Sequence, residues 1–318
     1  MKQLSRRSFM KLGAVSAVYL AASSKGIIGM SNKSEGSVRL GGPVFKEVDN
    51  DPAAWVQAHK EWGYSAAYCP VEADAPGEMI KAFESEAAKH KLIIAEVGAW
   101  SNPISPDDDE RKKAIEYCCT QLDLADRIGA NCCVNIAGSR NPEKWDAPHK
   151  DNLSQDTFDL IVEVTRQIID TVKPVRTYWT LETMPYVFPY SVDSYLDLIK
   201  KIDRKRFAAH FDPVNLMNSP ENYFYNGDLI KDAFNKFGRY IRSCHGKDTI
   251  LLDELTFHTN ETRPGLGNLD YAVYLKELSR LDNVPLMLEH MEEPEDYIAA
   301  GEYVKKIAGE NNIEIYKI

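Results

Sequence analysis

The chain has 318 residues, of which 44% are hydrophobic and 27% charged, and its formal net charge is −10. Five of its basic residues and none of its acids fall in the first thirty positions, so the remainder carries −15. This composition excludes collagen-like, disordered and multi-span membrane classes. The acidity excludes a phosphate-backbone partner, which demands clustered Lys and Arg, and favours a small neutral ligand.

Residues 5–11, Ser-Arg-Arg-Ser-Phe-Met-Lys, match the twin-arginine export pattern. The apolar run at 12–22 is too short to span a bilayer, and Ala21, Ala22, Ser23 and Ser24 offer a cleavage region. Residues 1–30 are therefore expected to be a twin-arginine signal peptide. That route carries folded proteins out of the cytoplasm, so a periplasmic or other extracytoplasmic location follows, with no stable membrane anchor.

From residue 37 onward, short apolar runs alternate with longer helical patterns. The runs lie at 38–44, 64–70, 92–100, 131–138, 178–184, 207–214, 241–247 and 285–291. They are apolar nearly throughout, as buried parallel strands are. Between them, Ile115, Cys119, Leu122 and Ala125 recur at helical spacing. So do Phe158, Ile161, Val162, Thr165, Ile168, Ile169 and Val172, and later Tyr271, Tyr274, Leu275 and Leu278. Ser191 with Ser194 reads as an N-cap, Pro52 and Pro294 as first-turn prolines, and Gly63 and Gly129 as helix ends. Eight strands alternating with helices predict an α/β fold, a single (β/α)₈ barrel over residues 37–309, with 310–318 as a C-terminal tail. An open doubly wound sheet would need a glycine-rich phosphate loop after its first strand, and the Gly41-Gly42-Pro43 stretch is not one. Two connections, 139–153 and 249–267, are long enough to suggest service to a site. Four of the six cysteines form the adjacent pairs Cys118–Cys119 and Cys132–Cys133, which show no zinc spacing and read as small core residues, with a disulfide between the pairs left open.

In such a barrel the site gathers at the C-terminal ends of the strands. Strands five to eight end in Thr-Leu-Glu-Thr-Met-Pro (180–185), His-Phe-Asp-Pro-Val-Asn (210–215), Ser-Cys-His-Gly-Lys-Asp (243–248) and Pro-Leu-Met-Leu-Glu-His (285–290). Each brings one metal-competent side chain: Glu182, Asp212, His245 and Glu289. Charges inside apolar strands are costly unless paired or metal-bound, and three carboxylates side by side repel without a cation. The donor set suits one hard or borderline divalent ion, Mn²⁺ foremost, with Mg²⁺, Co²⁺ and Zn²⁺ as alternatives, and no organic cofactor. Lys247, two residues beyond His245, points the same way along its strand and is expected to meet substrate. His210 and His290 are expected to alternate away from the ligand positions, either toward the helices or into places behind the ligands that support them.

The Glu–Asp–His–Glu set on consecutive strands, with these four motifs, resembles the xylose isomerase-like barrel superfamily, and most of all its sugar phosphate isomerase/epimerase family. The resemblance covers residues 37–309. It implies a metal-dependent sugar isomerase or epimerase that moves a proton beside a carbonyl through a metal-stabilised enediolate, with Glu182 and Glu289 as the proton-transferring pair. Export argues for an unphosphorylated sugar or keto-sugar as substrate. In related ketose epimerases the strand-six motif is Asp-x-x-His; here Asn215 stands in the histidine's place and is expected to meet substrate. Arg263 resembles the family's substrate-binding arginine, and His258, Arg140 and Trp100 complete the expected substrate contacts. The same chemistry, given a leaving group β to the carbonyl, makes a lyase or hydratase acting on 3-keto-glycosides. A non-catalytic sugar-binding barrel is the distant alternative, and a homo-oligomer is left open. The related abasic-site nucleases need a trinuclear zinc cluster rich in histidine, which seven histidines and an acidic chain do not suit.

Overall fold

The computed structural model describes residues 36–48 and 50–318; the signal peptide expected at 1–30 lies outside them. Eight parallel strands close a barrel: β1 (Arg39–Gly41), β2 (Ala66–Tyr68), β3 (Ile93–Gly98), β4 (Cys132–Asn135), β5 (Trp179–Glu182), β6 (Phe207–Phe211), β7 (Ile241–Gly246) and β10 (Pro285–Leu288). Each falls inside one of the eight apolar runs. Around the ring the order is β1-β10-β7-β6-β5-β4-β3-β2, so neighbours in the chain are neighbours in the barrel.

The main helices between the strands are α1 (Pro52–Glu61), α2 (Gly77–His90), α3 (Asp108–Ile128), α4 (Gln155–Val172), α5 (Val192–Ile202), α7 (Asn226–Phe237), α8 (Tyr271–Leu278) and α9 (Pro294–Glu310), with a short α6 (Pro220–Phe224) before α7. Their ends are signalled locally. Ser191 and Ser194 form a reciprocal capping box at α5, and Asp51 caps α1 ahead of Pro52. Gly129 ends α3 at φ +75°, a conformation that a Cβ disfavours. In α3 the buried stripe runs through Cys118, Leu122 and Ala125, with Ile115 and Cys119 only partly covered at its edge.

Alternation along the strands divides the apolar residues. Trp179, Leu181, Phe207, Ala209, Phe211, Cys244, Leu286 and Leu288 point outward into the main core beneath the helices. Ala66, Ala95 and Met287 form a small separate cluster with Tyr68 and Ile93. The inward faces are therefore left to a few apolar side chains and, at the strand ends, to charged ones.

Two departures from regularity shape that interior. Ala67 of β2 pairs with Ile94 of β3 but Tyr68 with Glu96, so β3 carries one extra residue. Such a bulge shifts the alternation by one and re-aims the side chains beyond it. A second shift lies between β6 and β7, where Ala209 pairs with Ile241 and His210 with Ser243.

The long connection after β7 is not a bare loop. Residues Asp248–Leu251 (β8) and Thr259–Thr262 (β9) pair as an antiparallel hairpin, which the apolar pattern of the sequence does not signal. Residues beyond α9 turn back along β1, where Ile315 bridges Val38 and the Arg39 guanidinium lies 3.9 Å from the centre of the Tyr316 ring. All six cysteines are free, so the disulfide left open between the two pairs does not form. Among the described residues no helix is long and apolar enough to cross a membrane.

Candidate metal centre and substrate pocket

Glu182 closes β5, Asp212 follows β6 by one residue, His245 lies near the end of β7, and Glu289 follows β10 by one residue. Outward neighbours Leu181, Phe211, Cys244 and Leu288 anchor each strand in the main core, and alternation sends the next residue inward. One donor atom from each of the four lies within 4.8 Å of all the others. His245 Nδ1 is 3.0 Å from Glu182 Oε1 and 2.8 Å from Glu289 Oε2. Local hydrogen bonds hold the carboxylates. Val214 N donates to Asp212 Oδ1 at 2.9 Å, and Asn215 Nδ2 donates to Glu182 Oε1 at 3.2 Å and to the Thr183 carbonyl at 3.0 Å.

Lys247, 1% exposed at its side chain, brings an ammonium group into the same space. Its Nζ is 2.8 Å from Asp212 Oδ2, 3.0 Å from Glu289 Oε1 and 3.0 Å from Glu261 Oε1. Burial lifts the Asp212 carboxyl to about 6; Lys247 opposes that rise, and Glu289 and Glu182 add to it. For Glu182 and Glu289 burial acts in the same upward sense and is the largest single influence, but His245 and Lys247 together outweigh it and both stay below the usual carboxylate range. Burial likewise works against the charge on His245 and Lys247, and the surrounding carboxylates overcome it in both.

Asp212 Oδ2 and Glu289 Oε1 are nevertheless buried without a hydrogen bond. Each is instead ion-paired with the lysine nitrogen, at 2.8 and 3.0 Å. One buried ammonium group thus serves several carboxylates, which are costly to bury together. Three carboxylates and one imidazole, all within reach of one point, fit a divalent cation.

Above the four residues opens a cavity of about 700 Å³. Its floor is Glu182, Glu289, Lys247 and Asn215, and its walls include Trp100, Trp145, Tyr186 and Phe257. Trp145 and Asp146 come from the 139–153 connection, which is tied across the site by Tyr186, whose hydroxyl donates to the Asp146 carbonyl at 2.8 Å. Phe257, Thr259 and Glu261 come from the hairpin and recur at every second residue, as one face of a strand does.

Of the substrate contacts expected from the sequence, Lys247, Asn215 and Trp100 line this cavity. The other three are placed elsewhere. Arg263 points away toward α9, its Nε 3.3 Å from Asp296 Oδ1. His258 falls on the opposite face of the hairpin from Phe257 and Thr259 and pairs with Glu254 at 2.9 Å. Arg140 is spent on structure, its guanidinium donating to the carbonyls of Ile104 and Ser105 at 2.7 and 3.2 Å.

Neither histidine faces the helices: His210 takes a place behind the ligands, and His290 the cavity rim. His210 stands two residues before Asp212 and therefore shares its inward face; it is fully buried, with Nε2 2.8 Å from Glu96 Oε2. His290, at φ +57°, swings to the cavity rim, where its Nδ1 is 2.9 Å from Glu261 Oε2. Sequence reasoning missed Glu96, Glu261, Trp145 and Tyr186. Glu96 is a charge inside an apolar strand, the very signal that found the other four.

A family model described as xylose isomerase-like TIM barrel matches residues 56–307. No curated protein sequence matches significantly. Among solved structures, a xylose isomerase-like TIM barrel protein from Mycobacterium smegmatis in complex with magnesium aligns with a TM-score of 0.61 at 15% identity, over 86% of this chain and 98% of that one. D-psicose 3-epimerase with D-tagatose, from Clostridium cellulolyticum H10, aligns with a TM-score of 0.60 at 14% identity, over 84% and 95%. The 3-keto-D-glucoside 4-epimerase of E. coli aligns with a TM-score of 0.57 at 14% identity, over 85% and 99%. At such identities the likeness establishes the fold.

Proposed function

The chain belongs to the xylose isomerase-like TIM barrel family, and on that footing we propose that it is a divalent-metal-dependent isomerase or epimerase of an unphosphorylated sugar or keto-sugar. The observation that carries this reading is the convergence of Glu182, Asp212, His245 and Glu289 beneath a sugar-sized cavity, with one donor atom of each within 4.8 Å of the others. Those four residues would hold the cation, Mn²⁺ in first place, which when bound would polarise a substrate carbonyl and offset the charge of an enediolate.

The chain's own groups do the rest. Asn215 and His245 hold Glu182 by Oε1, so Glu182 is fixed in direction and can take a proton from the carbon beside the carbonyl. Glu289, held by His245 and Lys247, takes a proton from solvent and delivers it to the opposite face, which gives an epimer. Glu182 returning its own proton to the next carbon, while a proton passes between the two substrate oxygens, gives the ketose or aldose isomer. The Lys247 ammonium faces the same space and stabilises negative charge as it develops on oxygen.

The cavity's charge argues against a phosphorylated substrate. Asp146, Glu182, Glu261 and Glu289 line it, while its cations, Lys247 and His290, are already paired with carboxylates. The aromatic walls suit the apolar faces of sugar rings. They also leave room for a second ring or an aglycone, which supports elimination from a 3-keto-glycoside as the second reading. An unphosphorylated substrate agrees with the export that we propose from residues 5–11.

The test is proton exchange. The purified protein, assayed for bound metal, is incubated in D₂O with neutral ketoses, aldoses and 3-keto-glycosides and followed by NMR. Deuterium should enter the carbon next to the carbonyl, and should fail to do so after chelation or in Glu182→Gln and Glu289→Gln. A released aglycone would select the second reading. A protein that takes up no divalent metal, even with Mn²⁺ added, would sink both.

A further inference from the structure

Below the proposed metal centre lies a second layer of polar groups that the proton-transfer steps do not use. Glu96 is 2% exposed and has no Lys or Arg partner among the described residues. Each of its oxygens meets an imidazole instead: Oε2 is 2.8 Å from His210 Nε2, and Oε1 is 3.1 Å from His245 Nε2. The two rings stand 4.1 Å apart at 71°. Among the described residues His210 Nδ1 is buried without a hydrogen-bond partner, so Glu96 is the only polar group there that its ring hydrogen-bonds. The triad therefore ends blindly on the His210 side. It opens on the other side, where His245 Nδ1 faces Glu182 and Glu289. A regular β3 would not present Glu96 here; the extra residue in that strand turns it inward.

We infer that Glu96, braced by His210, is a positioning residue for His245: it accepts the Nε2 proton, fixes the ring's tautomer and angle, and so reserves the Nδ1 lone pair for a cation. This rests on the metal reading of the site. A carboxylate can only accept, so both imidazoles must present N–H at Nε2. A neutral His245 protonated there carries its lone pair at Nδ1, on the side of Glu182 and Glu289. Buried carboxylates of this kind orient ligating histidines and strengthen them as donors. A carboxylate buried with only imidazoles for partners is costly as core structure, and the layer's contacts lead to the candidate ligand.

The test reads metal affinity apart from activity. Binding of Mn²⁺ and Zn²⁺ to the full chain and to Glu96→Gln is measured by competition with a chromogenic chelator, with thermal melts recorded alongside. A glutamine can accept one imidazole proton but meets the other with its own N–H₂. The expected result is affinity weakened about 10- to 100-fold, with partial recovery in Glu96→Asp. Affinity unchanged within twofold, with only the melting point lowered, would make the triad structural and overturn the inference. Two-bond ¹H–¹⁵N spectra of the zinc-loaded parent, with His245 assigned by its loss in His245→Gln, need no folded Glu96 variant. They should show His245 protonated at Nε2 and metal-shifted at Nδ1; the reverse pattern overturns the inference. A parent that binds neither ion fails at the earlier step and removes the metal reading itself.

Discussion

Replacing Asp248 with Asn should loosen the hairpin that forms one wall of the cavity. Asp248 follows Lys247 directly, and its buried carboxylate accepts four backbone N–H groups. Thr249 and Leu269 donate to Oδ1 at 2.8 and 2.9 Å, and Gly265 and Gly267 donate to Oδ2 at 3.1 and 3.2 Å. One side chain thus closes the whole 249–267 connection at both ends. Asn keeps the shape but can offer only one oxygen. The Thr249 and Leu269 donors are the more deeply buried and should retain it, leaving the amide N–H₂ against the Gly265 and Gly267 donors. Two hydrogen bonds to a charged acceptor are lost, at about 1.5–3 kcal/mol each. Burial lifts the Asp248 carboxyl above its ordinary value despite the four donors, and the variant is relieved of that strain, so the low end, about 3 kcal/mol, is expected. Urea unfolding measures the global part. Hydrogen exchange of peptides spanning residues 257–269 measures the local part, which should rise sharply because the segment opens before the barrel does. Parent-like exchange in that segment, together with an unchanged unfolding midpoint, would refute the claim that Asp248 holds the wall.

Trp100→Ala should raise KM several-fold and leave kcat nearly intact, because Trp100 lines the cavity without touching the proton-transfer groups; a loss confined to kcat contradicts that placement. His59 is buried with Nδ1 2.8 Å from the Trp55 carbonyl, and burial pushes its imidazole below the ordinary value. Its stability contribution is present above pH 6.5 and fades as pH falls toward the folded value. The parent should therefore lose more stability between pH 7.5 and 5.5 than His59→Gln, and equal losses would show that His59 does not drive the effect. Gly129→Ala, at φ +75°, should cost about 1–2 kcal/mol in thermal melts, with Asn at the same position recovering part of it; an unchanged melting point would count against the left-handed cap.

The barrel is legible in the sequence because each strand is buried on both faces and so reads as a compact apolar run. Glu182, Asp212, His245 and Glu289 stand out for the same reason, as charges where the run should have continued. Glu96 has that signature too, but it sits where an extra residue breaks the alternation in β3, and no spacing rule places a residue beyond a bulge. Of the two places open to His210, toward the helices or behind the ligands, its two-residue distance from Asp212 selects the second, since both then share one face. The misplaced contacts, Arg263, His258 and Arg140, all lie in connections. No period there tells which way a side chain points, and each is directed instead by a local partner: Asp296, Glu254, or the carbonyls of Ile104 and Ser105. His290 escapes for a related reason, since its positive φ takes it out of the strand pattern.

The floor and the walls of the cavity belong to different parts of the architecture. Glu182, Asp212, His245 and Glu289 ride on strand ends whose backbones are locked by neighbours on both sides. Trp145, Phe257 and Glu261 ride on two connections that meet the barrel only at their ends and through a few ties such as Tyr186–Asp146 and Asp248–Gly265. A sequence change in the connections can therefore alter which molecules are admitted while the ligand geometry stays as it is. For an evolving lineage this makes selectivity cheap to vary and chemistry hard to lose. For an engineer, it marks the 139–153 and 249–267 segments as the places to exchange between relatives when a new substrate is wanted.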